Sequence, residues 1–155
     1  MNWGAIGAIS DMLAAFAVVI SLVYLSVQIR AQSRETNALA MHEISVAFRE
    51  NISKFSEDAL AHLMIKAIKD INSLSEKERF QLISATQQVL RVWEEAYLMR
   101  ESGRLNDEMW VPMDKQYASF MGSPAVSYVW NIRKEFYNDK FSAYVDSRDV
   151  THYKL

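Results

Sequence analysis

Few residues in this 155-residue chain stand at spacings that support chemistry. Asp58 and His62, in the stretch EDALAH, are four apart and share a helix face. Such a pair can bind a metal or move a proton, but a catalytic metal needs about three protein ligands. An ordinary surface pair is the simpler reading. His42–Glu43 lacks the second histidine of a zinc helix, and the repeated Glu-x-x-His of di-iron bundles is missing. Glu94 and Glu95 follow Trp93, and one of them must turn partly inward. A buried glutamate with a raised pKa is an acid–base candidate. The reading preferred here is a structural ion pair with an arginine from further along the chain, Arg104 or Arg133, which makes Glu94–Arg133 the expected buried polar pair. There is no phosphate-cradling glycine loop and no Gly-x-Ser-x-Gly elbow. The chain has no cysteine, which excludes disulfides, thiolate nucleophiles and cysteine metal sites. No catalytic, metal-binding or cofactor-binding residue is therefore assigned.

The one acid that stands apart is Asp11. It is the only charged side chain before Arg30, in a run that is apolar from Trp3 to Ile29. At 1.5 Å per residue, Trp3 to Arg30 spans about 40 Å, close to a bilayer with its headgroups. Met12 to Ile29 alone covers about 27 Å, near the hydrocarbon thickness. A cleaved signal peptide is disfavoured, because the first residues carry no Lys or Arg and the run exceeds a typical signal core. A buried helix of a soluble protein is disfavoured by the length of the run. Trp3 suits one interface, and Gln28 with Arg30 marks the other. Arg30 and Arg34 place the C-terminal side in the cytoplasm by the positive-inside rule, with the N-terminus outside.

Gly4, Gly7, Asp11, Ala14, Val18 and Ser21 alternate in steps of three and four, so they form one face. Small faces let membrane helices approach closely. Asp11 on that face has three readings: hydrated by headgroups near the outer interface, packed between copies, or lining a water-filled pathway.

The elements that must position the remaining candidates all read as helices. Gly and Pro number only four and two, and no alternating strand pattern occurs. The anchor is expected to continue through a stripe of Met41, Ile44, Phe48, Ile52 and Phe55. A second helix is expected near Ser56, with Leu60, Leu63, Met64, Ala67, Ile68 and Ile71 as its stripe. SEKE, Ser75 to Glu78, reads as a capping box opening a helix that Gly103 ends. This helix carries two stripes. One is Phe80, Ile83, Leu90, Trp93 and Tyr97; the other is Leu82, Val89, Val92, Ala96 and Met99. It belongs at the centre of the bundle. Asn106 or Asp107 caps the next, with Trp110, Met113, Tyr117 and Phe120 inward and Pro112 delaying or kinking its start. Ser123–Pro124 opens another, with Val129, Ile132 and Phe136 inward. A short last helix covers Phe141, Tyr144 and Val145, and DVTHYKL reads as a frayed tail. The late aromatics read as core rather than as a ligand pocket.

The stretches WGAIGAISDMLAAFAVVISLVYLSVQIR (Trp3–Arg30), RVWEEAY (Arg91–Tyr97), GRLNDEMW (Gly103–Trp110) and SPAVSYVWNIRKEFYNDKFSAYVD (Ser123–Asp146) carry a resemblance. The chain resembles a family of small bacterial proteins with one N-terminal membrane helix and a helical cytoplasmic domain, generally without assigned function. Pro112 departs from that pattern, where helix formers are expected. The resemblance implies architecture and membrane location, and no catalytic residues.

The sequence thus predicts an all-α protein with a transmembrane helix over residues 1–30 and a cytoplasmic bundle of about five helices over 31–155. It is expected in the bacterial inner membrane, in contact with lipid, as a homo-oligomer that presents its helical domain to a cytoplasmic protein partner. A net charge of −2 without a basic cluster argues against nucleic acid. A non-enzymatic assembly role is the first reading. An ion or proton pathway with Asp11 facing the pore and a ligand-binding or enzymatic helical domain are the alternatives.

Overall fold

The computed structural model describes the backbone of residues 3–149 and the side chains of residues 12–149. The described residues form six α-helices and no strand: α1 (Trp3–Ser56), α2 (Asp58–Lys69), α3 (Glu76–Glu101), α4 (Asp107–Met121), α5 (Pro124–Arg133) and α6 (Asp139–Asp146). The fold is all-α, with one long apolar N-terminal helix followed by a helical region. The chain divides into two compact units, Met1–Leu39 and Ala40–Leu155. The uncharged run that follows Asp11 ends at Arg30, whereas packing begins with Ala40 and Met41, which rest against the core of the second unit.

The first unit is a single helix. Its window of highest hydropathy averages 2.3, and none of that window is buried. By length and composition it can cross a membrane. Ser21, Gln28 and Thr36 each bond along the helix itself. Ser21 Oγ donates to the Ala17 carbonyl at 2.8 Å, and Gln28 Nε2 donates to Tyr24 Oη at 2.8 Å.

The second unit is built around α3. Ser75 caps it with a complete capping box: its hydroxyl takes the Glu78 N–H, and Glu78 Oε2 takes the Ser75 N–H at 2.8 Å. Gly103, at φ 70°, ends the segment in the left-handed conformation that glycine adopts without strain. Asn106 caps α4 by accepting the Met109 N–H at 3.1 Å. The helix therefore starts before Pro112, which lies inside it and neither delays nor blocks its first turn. Pro124 occupies the first turn of α5 as expected, but the Ser123 side chain makes no capping bond. Ser56 closes α1 instead of opening α2, its hydroxyl donating to the Ser53 carbonyl at 2.6 Å.

The core runs from Ile44 to Val145, and its interior is a chain of aromatic contacts centred on Trp93. Trp93 is fully buried, stacked on Tyr117 at 5.2 Å and edge-on to Phe141 at 5.4 Å. Tyr97 stacks on Tyr144 at 4.8 Å. The expected stripes need correction at four places. Phe80 is 71% exposed, so the inner face of α3 begins at Leu82. On α1 the step after Phe48 is three residues, not four: Asn51 is buried and Ile52 is exposed. On α5 the packed face is Ala125, Val126, Val129 and Trp130, and Ile132 is exposed. Phe136 is exposed too, because α5 gives way to a 3-10 turn at Lys134 and the helical register is lost. The α5–α6 corner is tied by Asp146. Its carboxylate accepts Trp130 Nε1 and Lys134 Nζ, each at 2.8 Å. Those bonds, Lys134 first, hold Asp146 below its usual carboxylate range.

Candidate functional site

Two carboxylates, Glu94 and Asp114, are buried in the bundle. Glu94, on α3, does turn inward and is buried. Its partner is not Arg133. Oε2 takes Arg91 Nη1 at 2.6 Å, one turn back on the same helix, and Oε1 takes the Asn138 backbone N–H at 2.6 Å. Arg133 is used elsewhere, its guanidinium 5.7 Å from the centre of the Phe136 ring. The physical reason is reach. A residue three positions away on the same helix lies on Glu94's own face, whereas after α5 ends at Arg133 the 3-10 segment brings backbone groups, the Phe136 carbonyl and the Asn138 N–H, to the Arg91–Glu94 pair.

The Arg91–Glu94 pair clamps the turn between α5 and α6. Arg91 Nη2 donates to the Phe136 carbonyl at 2.8 Å, and the guanidinium lies 4.3 Å above the Tyr137 ring. Asn138 Oδ1 then caps α6 by accepting the Lys140 N–H at 3.0 Å. Burial raises the Tyr137 hydroxyl to about 12, against the opposing pull of Arg91. A surface cleft of about 470 Å³ does border Glu94, with Glu43, Glu95, Arg91 and Arg104 around it. Both Glu94 oxygens are nonetheless engaged in holding the turn.

The second carboxylate, Asp114 on α4, was not singled out by sequence reasoning. It is buried under the aromatic core. Oδ1 accepts Tyr144 Oη at 2.7 Å and Trp93 Nε1 at 3.3 Å, and Oδ2 pairs with Arg148 Nη2 at 2.6 Å. Burial, reinforced by the bond to Asp114, pushes the Tyr144 hydroxyl well above the usual phenol range, so it remains a donor. A signal for Asp114 existed: Trp110, Asp114 and Tyr117 follow helical spacing, so the acid stands on the apolar face of α4. Its three partners, from α3, α6 and beyond α6, carried no such signal.

The other candidates stay apart. His62 Nδ1 lies 3.2 Å from Asp58 Oδ1 on an open surface, with both side chains more than three-quarters exposed. No group of metal-ligating side chains occurs among the described residues. Ala14, Val18 and Ser21 are exposed on α1, but so is every neighbour from Met12 to Glu35, so residue size alone distinguishes that face. The side chains of Gly4, Gly7 and Asp11, the residue His152 and the tail from Val150 lie outside the described residues.

No known protein family, curated protein or solved structure matches the chain.

Proposed function

We propose that the protein is a single-pass membrane protein whose first helix self-associates and whose helical domain is a non-enzymatic assembly module in the cytoplasm. The observation that carries this reading is the bare apolar run of α1. Met12, Phe16, Ile20, Leu25 and Ile29 are each more than half exposed, with no charged side chain between them. Water would not tolerate so large a continuous apolar surface, whereas a bilayer would. Local bonding of Ser21 and Gln28 supports insertion, since polar groups in lipid need partners within the segment. Arg30 and Arg34 favour a cytoplasmic C-terminal domain, and the setting is a bacterial inner membrane, as for the family the motifs resemble. The face of Gly4, Gly7, Asp11, Ala14, Val18 and Ser21 is the surface through which copies meet. A non-enzymatic role is supported by the use made of the buried acids: Glu94 and Asp114 both spend their oxygens on fold-holding bonds.

A chain without cysteine makes the test direct. Single cysteines at Asn2 and at Glu95 are offered to a membrane-impermeant maleimide in intact cells with a permeabilised outer membrane. Labelling of Asn2→Cys alone is expected, and labelling of Glu95→Cys alone would reverse the orientation. Self-association is read separately. Gly7→Leu with Ala14→Leu is expected to shift the detergent-solubilised protein to smaller species by native mass spectrometry, and an unchanged mass would sink that part.

A further inference from the structure

A cleft of about 340 Å³ opens between the C-terminal turns of α1 and α4 and the middle of α3. Phe48, Ile52 and Phe55 of α1, Val89 of α3 and Phe120 of α4 form its apolar walls. It differs from the neighbouring clefts in charge. They are bordered by Lys54 and Glu57, by Glu50 and Arg91, or by Glu43, Glu94 and Arg104. No carboxylate, amine, guanidinium or imidazole is among the side chains lining this one.

Tyr117 also lines it, and Tyr117 has an unmet bond. The residue is 2% exposed, and its hydroxyl has no hydrogen-bond partner. Its ring is fixed between the Trp93 face at 5.2 Å and the Phe48 edge at 5.4 Å, so the hydroxyl cannot swing away to find an acceptor. Burial keeps it protonated, hence a donor. Buried donors are paired as a rule, and exceptions call for an explanation. Thr86, Ser123, Arg133 and Tyr137 also hold buried unpaired atoms, but none of them borders any of these clefts. The buried amide of Asn51 stands at the same cleft, and Gln116 and Ser119 add further uncharged polar side chains to its lining.

We propose that this cleft binds an uncharged, mainly aliphatic molecule bearing a carbonyl group, whose oxygen accepts the Tyr117 O–H. The size suits a small ligand, since binding sites of this kind begin at about 300 Å³ and combine apolar walls with a few placed polar groups. The uncharged lining selects against fatty acids and other ions, which would lose hydration without gaining a partner. Phe48 lines the cleft and packs on the tyrosine ring, so the proposed mode requires Phe48 to rotate for the carbonyl to meet the hydroxyl.

The test uses the full chain in lipid nanodiscs and a diazirine-bearing long-chain ketone, with 2-undecanone, n-undecane and decanoate as competitors. Photolabelling is expected within residues 48–55 and 116–120. The ketone should compete about tenfold better than the alkane, the worth of one net hydrogen bond. Decanoate should compete no better than the alkane. Tyr117→Phe removes only the hydroxyl. It should keep the labelling and erase the preference for ketone over alkane, with thermal unfolding no lower than in the parent chain. Ile52→Trp should block labelling by filling the mouth. Labelling elsewhere, equal competition by ketone and alkane, or a preference that survives Tyr117→Phe would each overturn the proposal.

Discussion

Glu94 and Asp114 are both sequestered from water, yet only Glu94 finds a side-chain partner on its own helix. Glu94 is held by Arg91, on its own helix, and by one backbone N–H at Asn138. Asp114 gathers Trp93 from α3, Tyr144 from α6 and Arg148 from beyond α6. The first carboxylate fixes a turn. The second ties α3 and α4 to the end of the core. A local pair survives when the surrounding fold loosens, because the helix alone keeps its members together. A carboxylate whose three donors converge from α3, α6 and the segment after α6 exists only in the packed state, so its loss should be felt across the whole cooperative unit.

The largest expected effect follows. Asp114→Ala strands an indole N–H, a phenol and a guanidinium, and should cost about 2–4 kcal/mol, tempered by the partial exposure of Arg148. Thermal unfolding of the full chain in mild detergent reads this directly. Asp114→Asn retains an acceptor and should cost less. Glu94→Ala should rank below Asp114→Ala, at about 1–2 kcal/mol, because it orphans one backbone N–H and frees an arginine that is half exposed. A larger loss for Glu94→Ala than for Asp114→Ala would reverse the comparison.

The same contrast explains which parts of the molecule were legible in the sequence. The Ser75 capping box, the Gly103 stop, the Asn106 cap and Pro124 in the first turn of α5 all appear where local chemistry puts them. Each is decided within about four residues. Asp114 was missed because its partners lie 21 and 30 residues away, in Trp93 and Tyr144. Periodicity turns one of Glu94 and Glu95 partly inward without choosing between them, and Glu94 is the buried one; choosing its partner among Arg91, Arg104 and Arg133 needs the path of the chain after α5. Phe80 and Ile52 fit helical stripes by type and spacing, and are exposed because neighbouring helices cover only part of each face. Periodicity tells which residues share a face, not how far along that face a neighbour extends.

The comparison can be sharpened at the surface, where a carboxylate is held while only partly covered. Lys66 Nζ lies 2.7 Å from Glu78 Oε1, and the capping bonds from Ser75 add to it. Led by the Lys66 bond, these lower Glu78 from an ordinary 4.5 to about 2. The folded-state pKa is depressed, so the contribution is complete above about 4.5 and is lost as pH falls towards about 2. Glu78→Gln should flatten this part of the acid limb of the stability profile. The effect should be smaller than for either buried acid, since solvent screens the pair. An acid limb unchanged by the substitution would show that the capping geometry, rather than the charge, does the holding.

The smallest effect concerns Arg133, and it tests whether Glu94 has a purely local partner. A double-mutant cycle of Glu94→Gln with Arg91→Gln should give a coupling of about 0.5–1 kcal/mol, reduced from a fully buried pair because Arg91 is half exposed. The matching cycle with Arg133→Gln should give a coupling within about 0.3–0.5 kcal/mol of zero, the additivity expected of residues that share no contact. Arg133 leans on Phe136, and Phe136 presents its carbonyl to Arg91, so the two sites are close enough for a weak indirect link. That geometry makes the cycle discriminating. A coupling through Arg133 as large as that through Arg91 would mean that the turn, rather than the helix, carries Glu94's charge interaction, and the division between local and long-range carboxylates would no longer hold.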